Sequence, residues 1–494
     1  MNNRVCIILA LALGAFVTPT LAVQTAPPDS SKAITLSEAV ALAQQRGHQA
    51  RAARAARESG RYRHRAYRSG LLPQLSLGGT VPSYNKSIIP VLRDDGSTEF
   101  VPQQQTDANV TVTLAQKIPV TGGDLFVSSS LARLRVSGPA AYQSWSSTPV
   151  SVGLRQDILR PNTAAWNGQE DAVRAELDER AYLEAMEDVA LQTATLFFDV
   201  YAARVALDNA VTNAAVNDTL YRLNTGRFEV GKIGENDLLQ SELALLRSRT
   251  ALESARLEHE RATDALRIAL DLPSGTTVEV AVTGEVPEFE ADTARAVAEA
   301  LKNRAAVAAV ALDDVQARRS VAEARLRSGA GATVQASYGF NATAPEASLA
   351  YQNLLEARRF TLSVQVPLWQ WGARHEGVQA AQADRERVAN LSAATLDQLA
   401  HDARFAALEL GQARRTMLLV TKSDSVAAKR FEVAYNRYVI GRITIDNLYI
   451  AQAEKDQAVL QYVQALRGYW AALYRLRRAT LFDFASGRPI RGGS

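Results

Sequence analysis

The chain has 494 residues, 47% hydrophobic and 22% charged, with 55 basic against 52 acidic side chains. A net charge of +3 argues against a nucleic-acid protein, which concentrates positive charge. One cysteine, Cys6, and five scattered histidines argue against disulfide scaffolds, thiolate chemistry and zinc sites.

The first residues read as a secretory signal. Arg4 carries the positive charge, Val5 to Val17 form the apolar core, and Thr18 to Ala22 supply small cleavage-site residues. Cleavage is expected after Ala22. The alternative, a retained anchor, needs ~20 apolar residues, and this core is shorter. Cys6 lies too early for lipoprotein processing and leaves with the signal. No later stretch approaches the apolar length of a membrane helix. A membrane role would use β-strands, whose alternation hydropathy overlooks.

After the signal, one order of elements is written twice. A short helix (36–69) leads into strands (about 74–158), a very long helix (167–225), a tight turn and a return helix (235–270). A linker over 271–292 holds Pro273, Gly275, Gly284 and Pro287. The order then recurs: helix 293–328, strands about 333–366, long helices 374–438 and 446–482, and a short tail, 485–494. The expected division is a signal peptide (1–22), a first repeat (23–285) and a second repeat (286–484).

Short matches support the duplication. Arg227 to Ile233 faces Arg437 to Ile443 at an offset of 210, with Asp237-Leu238 opposite Asn447-Leu448. Gln156 to Pro161 lies near Gln365 to Pro367 at an offset of 209. Arg68-Ser-Gly70 faces Arg327-Ser-Gly329 at an offset of 259. The offset changes by about 50, so the first copy carries an insertion of that size between about 80 and 150.

The long helices follow from periodicity. Val189, Leu196, Val200, Ala203, Leu207 and Ala210 recur at helical spacings, and proline is absent from 162 to 272 and from 368 to 488. About 60 residues at ~1.5 Å rise make a rod of roughly 90 Å. The strands follow from alternation. Val150, Val152, Leu154, Gln156 and Ile158 share a face opposite Ser151, Gly153, Arg155 and Asp157. Val334 to Phe340, Phe360 to Val366 and Val110 to Leu114 repeat the pattern. A soluble sandwich is the alternative, but too few strands flank each helix pair. Apolar faces towards lipid and polar faces towards a lumen satisfy both sides if the sheet closes into a barrel.

Leu36 to Ala43, Leu72 to Ser76, Gln365 to Gly372, and the paired Gly231-Lys-Ile and Gly441-Arg-Ile turns carry a resemblance. Together they resemble the TolC-like outer-membrane factors of tripartite efflux pumps and type I secretion systems, over about residues 34–484. The resemblance implies a mixed α and β membrane protein of internally duplicated, trimeric build. Long coiled-coil hairpins would form a periplasmic tunnel, and strands would join a shared transmembrane β-barrel in the outer membrane of a Gram-negative bacterium. It implies a passive duct partnered by a periplasmic adaptor, an inner membrane transporter of proton-driven or ABC type, and outer membrane lipid. Type I secretion is the alternative role, and a poreless coiled-coil scaffold the alternative class. Four strands per protomer cannot close a barrel, but three copies give twelve. The inserted hairpin, Val110 to Lys117 and Asp124 to Leu131, then has two placements: an extracellular loop, which is favoured, or further wall strands giving eighteen.

The resemblance places the two helix turns at the periplasmic entrance. Gly231, Lys232, Ile233, Asp237 and Leu238, with Gly441, Arg442, Ile443 and Leu448, are candidate adaptor-docking residues. The alternative is that they only reverse helices. Gly231 and Gly441 would take left-handed caps, and Asp237, Thr444 and Asp446 are candidate N-caps. Asp237, Asp446 and Asn447 are candidates for an entrance constriction, although the second copy departs from the first by placing Asn447 opposite Asp237. Pro73 and Pro367 are expected at helix–strand junctions. Arginines from Arg46 to Arg68, opposed only by Glu58, read as a solvated helix face rather than a nucleic-acid site. No catalytic constellation, metal motif or cofactor loop is found. The chain is therefore expected not to be an enzyme, and energy for transport would come from a partner.

Overall fold

The structure is a computed structural model, and it describes residues 33–138, 141–282 and 286–490. The signal segment with Cys6, the linker's Gly284 and the last four residues of the tail lie outside the described residues. Among those described, no helix is long and apolar enough to cross a membrane.

Among the described residues, eight α-helices and six long strands build the fold. Helices α1 (Leu36–Arg46) and α2 (His48–Gly70) lead into strands β1 (Gln74–Leu92), β2 (Thr98–Ile118), β3 (Gly123–Ser137) and β4 (Tyr142–Ile158). Helices α3 (Thr163–Glu229) and α4 (Glu235–Ala269) complete the first copy. The second copy runs α5 (Thr293–Asn303), α6 (Ala305–Arg327), β5 (Gly331–Ala344), β6 (Leu355–Gln365), α7 (Ala373–Val439) and α8 (Ile445–Thr480).

Helix lengths repeat almost to the residue. The first helices have 11 residues in each copy, the second 23, the long ones 67, and the return helices 35 and 36. The short helices start 257 residues apart (Leu36 and Thr293) and the long ones 210 apart (Thr163 and Ala373). The insertion is therefore 47 residues, and it falls between them. The Arg-Ser-Gly match at 259 is two residues out of register with the helices that carry it. At ~1.5 Å per residue, each long helix is a rod of roughly 100 Å.

Each expected first helix is broken once, at equivalent points. Gly47 has extended ψ, and a Cβ there would lie 2.6 Å from the Ala43 carbonyl oxygen and 3.0 Å from that of Ala269. Close backbone approach thus fixes glycine at that break. In the second copy Arg304 breaks the helix, and its Nε donates to Glu184 at 2.5 Å. Glu184 also accepts from the Ala305 amide at 2.8 Å, satisfying an orphan donor of α6. Periodicity runs through both breaks, so the pattern concealed them.

The lateral order follows from the packing. Helix α3 packs on α2, α4, α6 and α8, and α7 packs on α6 and α8. So α6 and α8 each bridge the two long rods, while α2 and α4 pack chiefly on α3. The core sits where α1 crosses the rods: Phe197, Phe198, Val200, Leu266, Leu270 and Leu466 are buried together with Ala39 and Ala43. A short parallel pairing of Ile34–Thr35 with Val280–Ala281 ties the chain start to the linker there.

The six strands form one antiparallel sheet in chain order, β1-β2-β3-β4-β5-β6. Residues 109–132, for which an extracellular loop is favoured from sequence, are part of this sheet. They lie in β2 and β3, paired on both sides, because their alternation stays in phase with the flanking strands.

Candidate functional site: the sheet faces and the hairpin tips

Register carries each face across the first five strands; on β6 the apolar side continues as Phe360, Leu362 and Val364, but Arg358 stands opposite Tyr338. One rung reads Leu75, Leu114, Val127, Val152, Tyr338; the next reads Ser76, Thr113, Ser128, Ser151, Gly339. Period-2 alternation keeps the first set on one side and the second on the other. No α-helix packs along either face among the described residues. The apolar side is uncovered: Phe360 is 72% exposed, Val364 61%. A patch of this size is not left to water. The opposite side is mostly polar, with Phe126 an apolar exception whose ring lies over Gly153, where a Cβ would meet it at 2.3 Å.

At the base of the sheet the strands hand over to helices. Pro73 lies between α2 and β1, and Pro367 between β6 and α7. Beyond Pro367, Trp369 and Trp371 stack edge-on at 5.4 Å and are 73% and 89% exposed. Exposed tryptophans beside an apolar band suit a membrane–water boundary. Arg160 bolts the two copies here, donating to the Arg327 carbonyl at 3.0 Å and to Gln365 at 2.9 Å.

The turn between β2 and β3 is also fixed at this level. Asn162 Nδ2 donates to the Pro119 and Val120 carbonyls at 2.9 and 3.0 Å. Its Oδ1 accepts from the Ala165 amide at 3.0 Å, capping α3. Gln156 donates to the Thr121 carbonyl at 2.9 Å, and Gln116 to that of Leu71 at 2.6 Å.

At the far end, the two hairpin turns close alike. Gly231 and Gly441 have φ of +70° and +75°. Lys232 N donates to Arg227 O at 2.8 Å, and Arg442 N to Arg437 O at 2.9 Å, the 6→1 bond that ends a helix on a left-handed residue. Lys232 and Arg442 are exposed, while Ile233 and Ile443 are half-buried. Leu448 is fully buried with Leu220, Tyr438 and Ile445, whereas Leu238 is half-buried. The Tyr438 hydroxyl donates to Asn224 Oδ1 at 2.6 Å.

Of the three candidate N-caps, Thr444 takes the cap position, while Asp237 and Asp446 do not. The cap positions are Gly234 and Thr444, neither with a side-chain bond to the backbone. Asp237 and Asp446 lie inside the first turns, where a carboxylate complements the helix dipole instead. Thr444 Oγ1 is taken by Asn447 Nδ2 at 2.9 Å. Asp446 accepts from Gln240 of the other hairpin at 2.7 Å, so it joins the two tips.

Behind the tips, α3, α4 and α8 enclose a groove of about 610 Å³. Asp456 in its wall accepts from Asn209 at 2.9 Å and Asn213 at 2.7 Å. Asn217 Oδ1, Gln452 Oε1 and the Tyr449 hydroxyl are buried without a partner. Burial pushes the Tyr449 phenol up. Sequence reasoning missed this polar seam. Its signal was the recurrence of asparagine at 209, 213, 217 and 224, one face of a helix.

The basic α2 helix is not free. Arg57 pairs with Glu179, Arg63 with Asp178 at 3.1 Å and His64 with Asp171 at 2.6 Å. Most of the opposing charge comes from α3, which the one-helix reading could not see; Glu58 of α2 pairs with Arg61 at 3.3 Å and Asp271 with Arg51 at 2.8 Å. Among the described residues, no group of three or more metal-ligating side chains gathers.

No family model matches the chain, and no curated protein matches it in sequence. Solved structures match it in shape. The Campylobacter jejuni CmeC outer membrane channel is 16% identical, over 93% of this chain and 87% of that one, with a TM-score of 0.67. The Vibrio cholerae outer membrane protein VceC is 12% identical, over 92% and 97%, at 0.64. The Neisseria gonorrhoeae MtrE outer membrane channel is 14% identical, over 93% and 91%, at 0.63. The chain has the TolC-like fold of these outer-membrane channels.

Proposed function

We propose that the protein is a passive outer-membrane channel, the exit duct of a tripartite efflux pump. One observation carries the reading: an uncovered sheet, apolar on one face and polar on the other, continues directly into roughly 100 Å helices. Lipid satisfies the first face and a water-filled lumen the second. A homotrimer would join the sheets into one barrel and the helices into one periplasmic tunnel. The hairpin tips, with exposed Lys232 and Arg442, would meet a periplasmic adaptor, and an inner membrane transporter of proton-driven or ABC type would supply the energy. The fold shared with CmeC and MtrE, both named as outer membrane channels, supports this reading.

The test is membrane fractionation with planar-bilayer recording. The expected result is a trimer in the outer membrane fraction that conducts ions. A soluble periplasmic protein without conductance would sink the reading and favour a coiled-coil scaffold.

A further inference from the structure

Two strands of the sheet, β1 and β6, have one unpaired edge each. An open edge is intolerable in lipid, where every backbone group needs a partner. Strand β1 leaves the helical end at Gln74, and β6 returns to it at Gln365. Placed side by side, β6 of one copy and β1 of the next are therefore antiparallel, as bacterial barrels require. The helices agree. Helix α2 runs straight into β1, and α7 leaves β6, so each edge strand continues into a different rod. The rods also expose apolar side chains: Leu246 and Leu257 on α4, Leu418, Leu419 and Val426 on α7. The two edges differ, so the contact is head-to-tail and closes into a ring. The occupant that fits a β1 edge continued by α2 is another copy's β6 edge continued by α7.

We propose that the inserted β2–β3 hairpin is part of the barrel wall, and that three copies close on eighteen strands through β6–β1 pairing. The inference rests on the channel reading. Three observations place the insert in the wall rather than over the mouth. Its apolar and polar rungs are continuous with those of β1 and β4. Its removal from the sheet would open two more edges, on β1 and β4. Its lower turn is held at the helix–strand boundary by Asn162, Gln156 and Gln116. Barrel diameter grows roughly linearly with strand number, so eighteen strands make a mouth about 1.5 times as wide as twelve. The duct would then admit bulkier solutes at its outer end than a twelve-strand exit does.

Cysteine cross-linking in native membranes tests the wall directly. Cys6 is the only native cysteine, so a Cys6→Ser background makes introduced pairs unique. Thr113→Cys with Ser128→Cys should close within one chain. A register scan of Ser76→Cys or Thr80→Cys against Thr361→Cys or Ser363→Cys should yield covalent dimers and trimers. A twelve-strand wall would instead bring β1 beside β4. Closure of Ser76→Cys with Ser151→Cys inside one chain, in a protein that still conducts, overturns this inference and leaves the channel reading standing. Absence of conductance in the full-length protein overturns both. A second measurement does not depend on disulfides: exclusion of neutral polymers added from the outer side. Deleting residues 98–141 joins β1 to β4 through the existing 93–97 turn. The cut-off radius should fall to about two-thirds; an unchanged or larger cut-off overturns the eighteen-strand wall.

Discussion

The two copies of the repeat agree as rods and disagree as sheets. Their long helices have 67 residues each, while the first copy supplies four strands and the second two. The difference follows from geometry. The two long rods pack along shorter helices in a fixed register, so a residue added to one shifts every contact beyond it. A sheet grows sideways. A hairpin added in its plane leaves the height unchanged, and two strands at a time preserve the direction in which the chain leaves for the next helix. One residue marks the divergence. Asn162 precedes α3 and grips the inserted turn, while the equivalent Gly372 precedes α7 at φ +84° with no side-chain cap. The tips diverge too, since Leu448 is buried where Leu238 is half-buried.

The tip asymmetry gives the largest expected effect. Leu448→Ala should cost roughly 2–5 kcal/mol, the range for a fully buried leucine, and Leu238→Ala clearly less. The temperature at which the proposed trimer dissociates on gels reads the difference. Equal losses would mean that the two tips pack alike in the assembly. Asn162→Ala comes next. It removes a cap of about 1 kcal/mol and two clamps of similar net size, so roughly 2–3 kcal/mol in all. Native-state proteolysis should cut first at 119–122; cutting elsewhere would mean that the turn is held by something other than Asn162.

Gly441→Trp is a smaller stability change with a large functional one. A side chain at φ +75° costs about 1–2 kcal/mol, yet a Cβ there meets nothing within 4 Å. Trimers should therefore survive while export stops, because the indole would project from the tip into the proposed docking surface. Normal export would leave the glycine as a helix-reversal residue only. Asp446→Ala should cost about 0.5–1 kcal/mol, given its exposure. By freeing Gln240 it should loosen one hairpin from the other and raise single-channel conductance. Conductance and cation block that match the parent would remove Asp446 from the entrance constriction.

Much of this was legible because helices and strands announce their periods. Proline-free runs and recurring apolar residues gave the rods to within a few residues at each end. Alternation over 110–114 and 150–158 gave both sheet faces. What stayed hidden depended on partners far along the chain. The Gly47 break needs Ala269, the Arg304 break needs Glu184, and most of the acids that neutralise α2 lie on α3. The inserted hairpin was visible as strands, but its place was not. Alternation fixes which face a residue takes and says nothing of which strand lies beside it. At the tips, glycine signalled the left-handed turn, while the aspartates misled. Two or three residues decide whether a carboxylate is a cap or a first-turn charge: Asp446 lies two past Thr444, and Asp237 three past Gly234.

The smallest predicted effect separates cap from clamp. Gly372→Asn transplants the first copy's residue into the second. Asparagine tolerates a left-handed backbone, so strain is slight. The backbone there is not the extended conformation that capping prefers, and no inserted turn is present to grip. Stability should therefore move by less than about 0.5 kcal/mol, within the range of surface changes. A gain as large as the loss in Asn162→Ala would show that asparagine acts by capping alone. The insert would then be held by its ladder rather than by its turn. No measurable gain, beside a real loss in Asn162→Ala, assigns the difference to the grip on Pro119 and Val120, the contact that exists only where the sheet was widened.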